Sequence, residues 1–177
     1  PVPAVWLGYI PSHERYGEMF RAATEKNVHL VNGPEESQRA MDFALFYPRL
    51  EGLTPKSIVM HGLDEVAQVE QALAYPVFVK GGVKSDKEKG WAACVANNRA
   101  FVFRGQMLAL GWYWDGCDDP FGLSEDDRAK IRALVEEGAN RVAVPYLAVD
   151  VGQLESKQWV IMEVGDGQFC GVSTVAP

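Results

Sequence analysis

Two acids, Asp150 and Glu163, are the residues of this chain best placed to do chemistry. Each sits in an apolar run, residues 146–151 for the first and 158–164 for the second. The polar stretch Glu155-Ser156-Lys157-Gln158 between the runs reads as a hairpin turn. A symmetric two- or four-residue loop there sets Asp150 directly opposite Glu163, with Cβ atoms about 4.5–5.5 Å apart. Two facing carboxylates repel, so Asp150→Asn is expected to be neutral or stabilising without metal. A divalent cation turns the same geometry into an advantage, because hard cations take carboxylate oxygens as ligands. Alternation along the strands puts Leu147, Val149, Val151, Val160, Met162 and Val164 on one apolar face and the two acids on the other. The plainer reading of the pair is two solvated acids on an exposed sheet face.

A second candidate lies upstream. Lys80 closes the apolar run Tyr75-Pro-Val-Phe-Val-Lys80, and a Gly- and Lys-containing stretch over residues 81–90 follows, expected to be mobile. A lysine at a rigid strand end can hold phosphates while such a loop folds over them. Taken alone, it is equally a solvated lysine at a strand end. Trp112, Tyr113 and Trp114, followed by Asp115, could line an acceptor pocket or simply divide between core and surface. Several chemistries lack their motif. There is no G-x-x-x-x-G-K-[ST], H-E-x-x-H or G-x-S-x-G, and the glycine run from Gly165 to Gly171 is not a dinucleotide fingerprint. His13, His29 and His61 are scattered and read as surface or packing residues.

The elements that must position these residues follow from patterning. Strands are expected over residues 5–10, 28–31, 57–60, 75–80 and 91–96, and helices over 14–26, 64–74 and from Pro34 to about Phe46. Residues 47–56, with two prolines, read as a loop. Residues 100–103 and 107–114 read as a hairpin around Arg104-Gly105-Gln106, and 115–122 as a loop. Ser124 and Asp127 form a capping box for a helix to about Val142, and the acidic hairpin follows. Strands outnumber helices and mix with them, which makes the fold α+β.

Composition sets the frame. A chain of 177 residues fits one domain or two small lobes, and 47% hydrophobic residues is ordinary for a packed globular protein. A net charge of −7 without a basic stripe argues against a nucleic-acid partner. Cys94, Cys117 and Cys170 are far apart and odd in number, as expected of free thiols in a reducing, cytoplasmic setting. Neither a signal peptide nor a membrane-length apolar stretch is visible, so no membrane partner is expected. The chain opens at Pro1 in an apolar run, which suggests a processed or truncated N-terminus.

The order of these features resembles the ATP-grasp superfamily, in its RimK-like branch of carboxylate–amine ligases. A lysine-ended strand and flexible loop come first, then a strand opening with Arg99, then Asp150 and Glu163 on successive strands. The likeness is greatest to small members with an Asn-x-Pro-Glu segment, a Tyr-Pro…Thr-Pro-[Arg/Lys]-Ser segment and an Asp-Gly-Gln ending. These read here as Val31-Asn-Gly-Pro-Glu35, Tyr47-Pro-Arg-Leu-Glu-Gly-Leu-Thr-Pro-Lys-Ser57 and Glu163-Val-Gly-Asp-Gly-Gln168. The match covers most of the chain from about Val28.

The resemblance implies an α+β, ATP-grasp-type fold of mixed and antiparallel sheets with helices, and a nucleotide site between two lobes. Residues 1–60 would be a partial N-terminal lobe, and 61–177 the ATP-grasp lobes. It implies that Lys80 contacts the α/β-phosphates, that Arg39 also contacts phosphate, and that Arg99 stabilises the transferred phosphoryl and the acyl-phosphate. Asp150 and Glu163 would ligate Mg²⁺. Many members carry Asn two residues after that Glu; Gly165 stands here, leaving Asp166 or Gln168 to supply a third ligand. Outside the resemblance, Arg39 reads as a helix-surface ion pair and Arg99 as a strand-end cap. Only 19 positions separate Lys80 from Arg99, where the family has a long segment, so omitted pieces are expected near Asn98 and before Val5. The implied activity is an ATP- and Mg²⁺-dependent ligase joining a small-molecule or peptide carboxylate to an amine. The rivals are a kinase-type phosphotransferase and a non-catalytic nucleotide-binding or interaction module.

Overall fold

The structure, a computed structural model, describes residues 1–73, 98–112 and 122–171. In chain order the elements are β1 (Val2–Ala4), α1 (His13–Glu25), β2 (Val28–Leu30), α2 (Pro34–Met41), α3 (Phe43–Phe46) and α4 (Val66–Ala72). Then come β3 (Asn98–Phe103), β4 (Gln106–Trp112), α5 (Glu125–Val142), β5 (Tyr146–Gln153) and β6 (Trp159–Asp166). β1 and β2 pair in parallel, while β4-β3-β5-β6 form a four-stranded antiparallel sheet. The expected α+β architecture is therefore present. The expected strands over 75–80 and 91–96, the loop between them, Tyr113 to Asp115, Cys94 and Cys117 lie outside the described residues.

The acidic hairpin forms, and Asp150 does face Glu163, but not by the symmetric turn expected. The last pair before the turn is Gln153 with Trp159, which leaves five residues in the loop; Lys157 takes φ 67° there. Such a hairpin, continued regularly, would set Asp150 against Met162. A β-bulge intervenes between the pairs Asp150–Glu163 and Val151–Ile161, and Met162 is the extra residue. The expected apolar face is corrected accordingly. Ile161, not Met162, joins Leu147, Val149, Val151 and Val164 in the core, and Val160, paired with Gly152, turns to the side of the acids. Strict alternation does not survive a residue that has no partner.

The other expected hairpin joins β3 to β4 by the two residues Arg104 and Gly105, both at positive φ (48° and 79°). That is the signature of a tight turn whose twist suits two antiparallel strands. α5 begins as anticipated: the Ser124 hydroxyl accepts from the Asp127 N–H at 3.1 Å, and three acids occupy the first turn, where the helix dipole favours them. Its buried stripe, Ile131, Val135, Gly138, Ala139 and Val142, lies on the apolar face of the sheet with Phe46 and Leu50.

Three other expectations fail. Residues 5–10 and 57–60 are not strands. The pairing of β1 with β2 ends at Ala4 and Leu30, and the Trp6 N–H goes to the Gln168 side chain (3.1 Å) instead of a strand partner. The helix expected from Pro34 to Phe46 breaks at Asp42, whose backbone is extended (ψ 116°) and whose carboxylate accepts from the Ala44 N–H at 3.0 Å. A short acid prefers to cap a new helix over continuing the old one.

A buried polar cluster ties the early elements to the end of β6. Asn32 pairs with the Tyr146 backbone in both directions, Nδ2 to carbonyl at 2.7 Å and N–H to Oδ1 at 2.8 Å, and Nδ2 also donates to Asp166 at 2.8 Å. The Tyr16 hydroxyl donates to the Asn32 carbonyl and accepts from Gln168 Nε2, both at 2.7 Å. Burial pushes the Tyr16 phenol up to about 12. It therefore keeps its proton at pH values where the unfolded chain has lost it, so its contribution is intact below about pH 10 and falls as pH rises toward 12. Tyr16→Phe should lower stability by about 1–3 kcal/mol at neutral pH, since it strips a buried carbonyl and a buried amide of a partner. It should also flatten the alkaline loss of stability. Urea midpoints at about pH 9 and about pH 11 check both, and an unchanged alkaline slope would remove Tyr16 from the account.

Candidate active site

Three strands present one row of charged side chains on the sheet face away from α5. Arg99 on β3 is the register partner of Asp150 on β5, and Asp150 is the partner of Glu163 on β6. The row follows from strand alternation: Ala100 and Val102 enter the core beside Arg99, as Val149 and Val151 do beside Asp150. Gly111, the β4 partner of Arg99, puts no side chain into the row. Phe101 stacks on Tyr146 along the same face, with ring centroids 6.1 Å apart.

The Arg99 guanidinium meets the Asp150 carboxylate as a two-pronged fork. Nε donates to Oδ1 at 2.7 Å and Nη2 to Oδ2 at 2.8 Å. Both side chains are under a tenth exposed, 8% and 7%. The expected consequence of facing carboxylates is therefore corrected: a cation is already built into the sheet beside Asp150. Planar, two-point pairing of this kind is what arginine does better than lysine. Arg99 is no strand-end cap, because its head is engaged across the sheet.

The row can do one kind of chemistry well. A carboxylate has about four acceptor sites, of which Arg99 takes two from Asp150. Asp150 and Glu163 together thus offer hard oxygen donors from adjacent strands, with an arginine alongside that can hold a phosphate or carboxylate. Mg²⁺ typically takes one or two protein carboxylates and fills its remaining positions with water and phosphate oxygens, so the donor set suits it.

The other expected site residues are placed differently. Asp166 does not join the pair. It is the register partner of Leu147, a core residue, so its side chain leaves the sheet on the face opposite Glu163. Its carboxylate accepts from Asn32 Nδ2 and from the Gln168 N–H (2.9 Å), and it is fully buried. Burial raises its pKa, against the hydrogen bonds from Gln168, Ser37 and Asn32 that lower it. Gln168, the alternative third ligand, is held in the same cluster. Gly165 offers no donor. Among the described residues no group of three or more His, Cys, Asp or Glu comes together as a metal site. Arg39 sits on α2 and donates to the Ala143 carbonyl at 2.8 Å and the Val142 carbonyl at 3.4 Å, completing the C-terminal end of α5. Lys80 lies outside the described residues.

Sequence reasoning missed the Arg99–Asp150 fork and the residues Tyr16 and Asn32. The signal for the fork was present: once β3 is placed beside β5, Arg99 and Asp150 fall on the same face. Asn32 stood in a quoted motif without a role.

The sheet, its helical cover and the acidic hairpin define an ATP-grasp protein. The RimK domain ATP-grasp protein from Sphaerobacter thermophilus superposes with a TM-score of 0.66 at 15% identity, over 94% of this chain and 73% of that one. The L-amino acid ligase from Bacillus licheniformis gives 0.59 at 18% identity, over 86% of this chain and 46% of that one. The ATP-grasp ligase PsnB, complexed with minimal precursor, Mg and ADP, gives 0.52 at 12% identity, over 84% of this chain and 57% of that one. The chain thus spans little more than half the length of PsnB. A family model for an ATP-grasp domain, the third family of its clade, matches residues 46–177, and the chain belongs to that family. No curated protein sequence matches it. Among the described residues, no helix is long and apolar enough to cross a membrane.

Removing the Asp150 charge strands Arg99 in a site with little water. Asp150→Asn should therefore destabilise the protein by about 3–5 kcal/mol. Equilibrium denaturation of the metal-free protein tests this, and a neutral or stabilising result would restore the repulsion picture.

Proposed function

We propose that the chain is the nucleotide-handling part of an ATP-dependent carboxylate–amine ligase, working through an acyl-phosphate. The observation that carries this reading is the row Arg99–Asp150–Glu163, three charged groups in register across adjacent strands of a family member. Neighbours of the same fold include ligases, one of them complexed with Mg and ADP.

In this reading Asp150 and Glu163 hold Mg²⁺ against the phosphates of ATP. The bound ion would bridge phosphate oxygens and offset the charge that develops on them. Lys80 grips the phosphates in the ground state. Arg99 faces the group in transfer, where its fork fits both a phosphoryl and a carboxylate. A carboxylate substrate attacks the γ-phosphorus and releases ADP; the amine then attacks the acyl carbon and releases phosphate. The protein contributes position and charge rather than covalent chemistry. The acid is a small molecule or a peptide, and Arg39 serves the fold through α5 rather than the nucleotide.

A second reading is a non-catalytic nucleotide-binding module. It is favoured by Gly165, which offers no donor beside Glu163, and by the engagement of Asp166 elsewhere. Calorimetry with MgATP, followed by assay of ADP and phosphate across panels of acids and amines, separates the readings. Tight binding without turnover selects the module, and a phosphorylated alcohol selects a kinase.

Glu163→Ala is the cleaner metal variant, because it leaves the Arg99–Asp150 fork in place. It should weaken MgATP binding at least about tenfold, or about 1.4 kcal/mol, with little change in melting temperature. Unchanged affinity would remove Glu163 from the site. Arg99→Lys should lower kcat far more than it raises the KM for ATP, because the lost fork matters most to charge that develops during transfer. Lys80→Ala should weaken ATP binding more than Lys84→Ala, Lys87→Ala or Lys89→Ala; equal effects would indicate diffuse attraction.

A further inference from the structure

We propose that Arg99 and the metal compete for Asp150, and that the nucleotide resolves the competition by giving Arg99 a phosphate in exchange for the carboxylate. The inference rests on the ligase reading of the site and adds an order of events: the site accepts the metal–nucleotide complex and resists the free cation.

The geometry supplies the competition. Both oxygens of Asp150 are held by Arg99, at 2.7 and 2.8 Å, in a setting under a tenth exposed. A divalent cation arriving alone has two routes to Asp150. It can displace the guanidinium, which leaves a buried cation without its counter-charge. Alternatively, it can share the carboxylate, which sets a doubly charged ion beside a singly charged one where screening is weak. Both routes oppose binding. A phosphate changes the balance, because its oxygens match the arginine fork as the carboxylate does. Arg99 can then turn from Asp150 to the nucleotide, and Asp150 turns to the metal. No buried charge is unpaired at either end of the exchange.

The same fork explains how the hairpin tolerates two facing acids without metal. Arg99 supplies the positive charge that a cation would supply in the loaded site. Metal and nucleotide must then bind with positive coupling, and by linkage each raises the affinity of the other by the same factor.

Mn²⁺ is a suitable probe, titrated into the full chain with and without a non-hydrolysable ATP analogue. In the wild type, the analogue should tighten Mn²⁺ binding to the protein at least about tenfold, after correction for Mn²⁺ held by free analogue. Arg99→Gln should bind Mn²⁺ alone about tenfold more tightly than the wild type, and the coupling should shrink toward unity. Arg99→Lys, which keeps the charge and loses the fork, should fall between them. Circular dichroism establishes that each variant is folded. If Arg99→Gln does not fold, the wild-type coupling and the Arg99→Lys value decide. Mn²⁺ binding that is indifferent to the analogue, or an Arg99→Gln that binds Mn²⁺ no better than the wild type, overturns the exchange while leaving the metal site standing. A wild type that binds Mn²⁺ neither alone nor with the analogue overturns the site and the exchange together.

Discussion

One inserted residue, Met162, decides which side chains share the site. The turn at residues 154–158 alone would set Asp150 opposite Met162 and turn Glu163 toward the core side. The bulge shifts the pairing by one position, so that Ile161 enters the core and Glu163 comes level with Asp150. A shift of one position exchanges the two faces of a strand, so the hairpin must satisfy both the apolar face and the acidic row. The bulge is the local distortion that lets it do so. Val164 and Val149 on one side of it, and Val151 and Ile161 on the other, are all fully buried, which holds the distortion in place.

The motifs that carry the family resemblance serve mainly to hold this hairpin. Asn32 of the first and Asp166 and Gln168 of the third are far apart in sequence, yet they hydrogen-bond directly or through Tyr16. Gly167 stands between those two because a Cβ there would lie 2.8–2.9 Å from the Tyr146 ring. In the second motif, the Tyr47 hydroxyl accepts from the Ser57 N–H at 2.8 Å, closing the segment into a loop. That loop then offers the Leu53 carbonyl to the Ile161 N–H, also at 2.8 Å. The carbonyl lands at the edge of β6, beside the bulge. Three weak motifs thus converge on one strand, and that strand carries Glu163.

Legibility divided along the line between local and non-local causes. α5 could be read from Ser124, Asp127 and an apolar stripe, because caps and periodicity are contained within the segment. The β3–β4 hairpin was readable for the same reason, from Arg104 and Gly105. The break at Asp42 was locally encoded as well, in a side chain that prefers to cap. The strand expected over residues 5–10 failed on a distant cause: the Trp6 N–H is claimed by Gln168, more than a hundred residues away. The facing of Asp150 and Glu163 was anticipated from a turn that is not the one formed. The bulge that supplies the register has no signature in a single strand, since it reflects what both faces must bury.

The two buried aspartates of β5 and β6 show how environment assigns the same side chain to different work. Asp166 is surrounded by neutral donors, from Asn32, Ser37 and Gln168, and burial raises its pKa despite them. Its hydrogen bonds fasten the first residues of the chain to the end of the sheet, and on that face it has no route to the row. Asp150 is met instead by a guanidinium, on the face where Glu163 stands. A carboxylate held by neutral donors is bound for good, because those donors have nothing better to do with their protons. A carboxylate held by one arginine can be released whenever another anion of similar shape arrives to take the arginine. Of the two acids, only Asp150 is held in a way that a nucleotide could undo, so the sheet keeps its structural carboxylate and its exchangeable one on opposite faces.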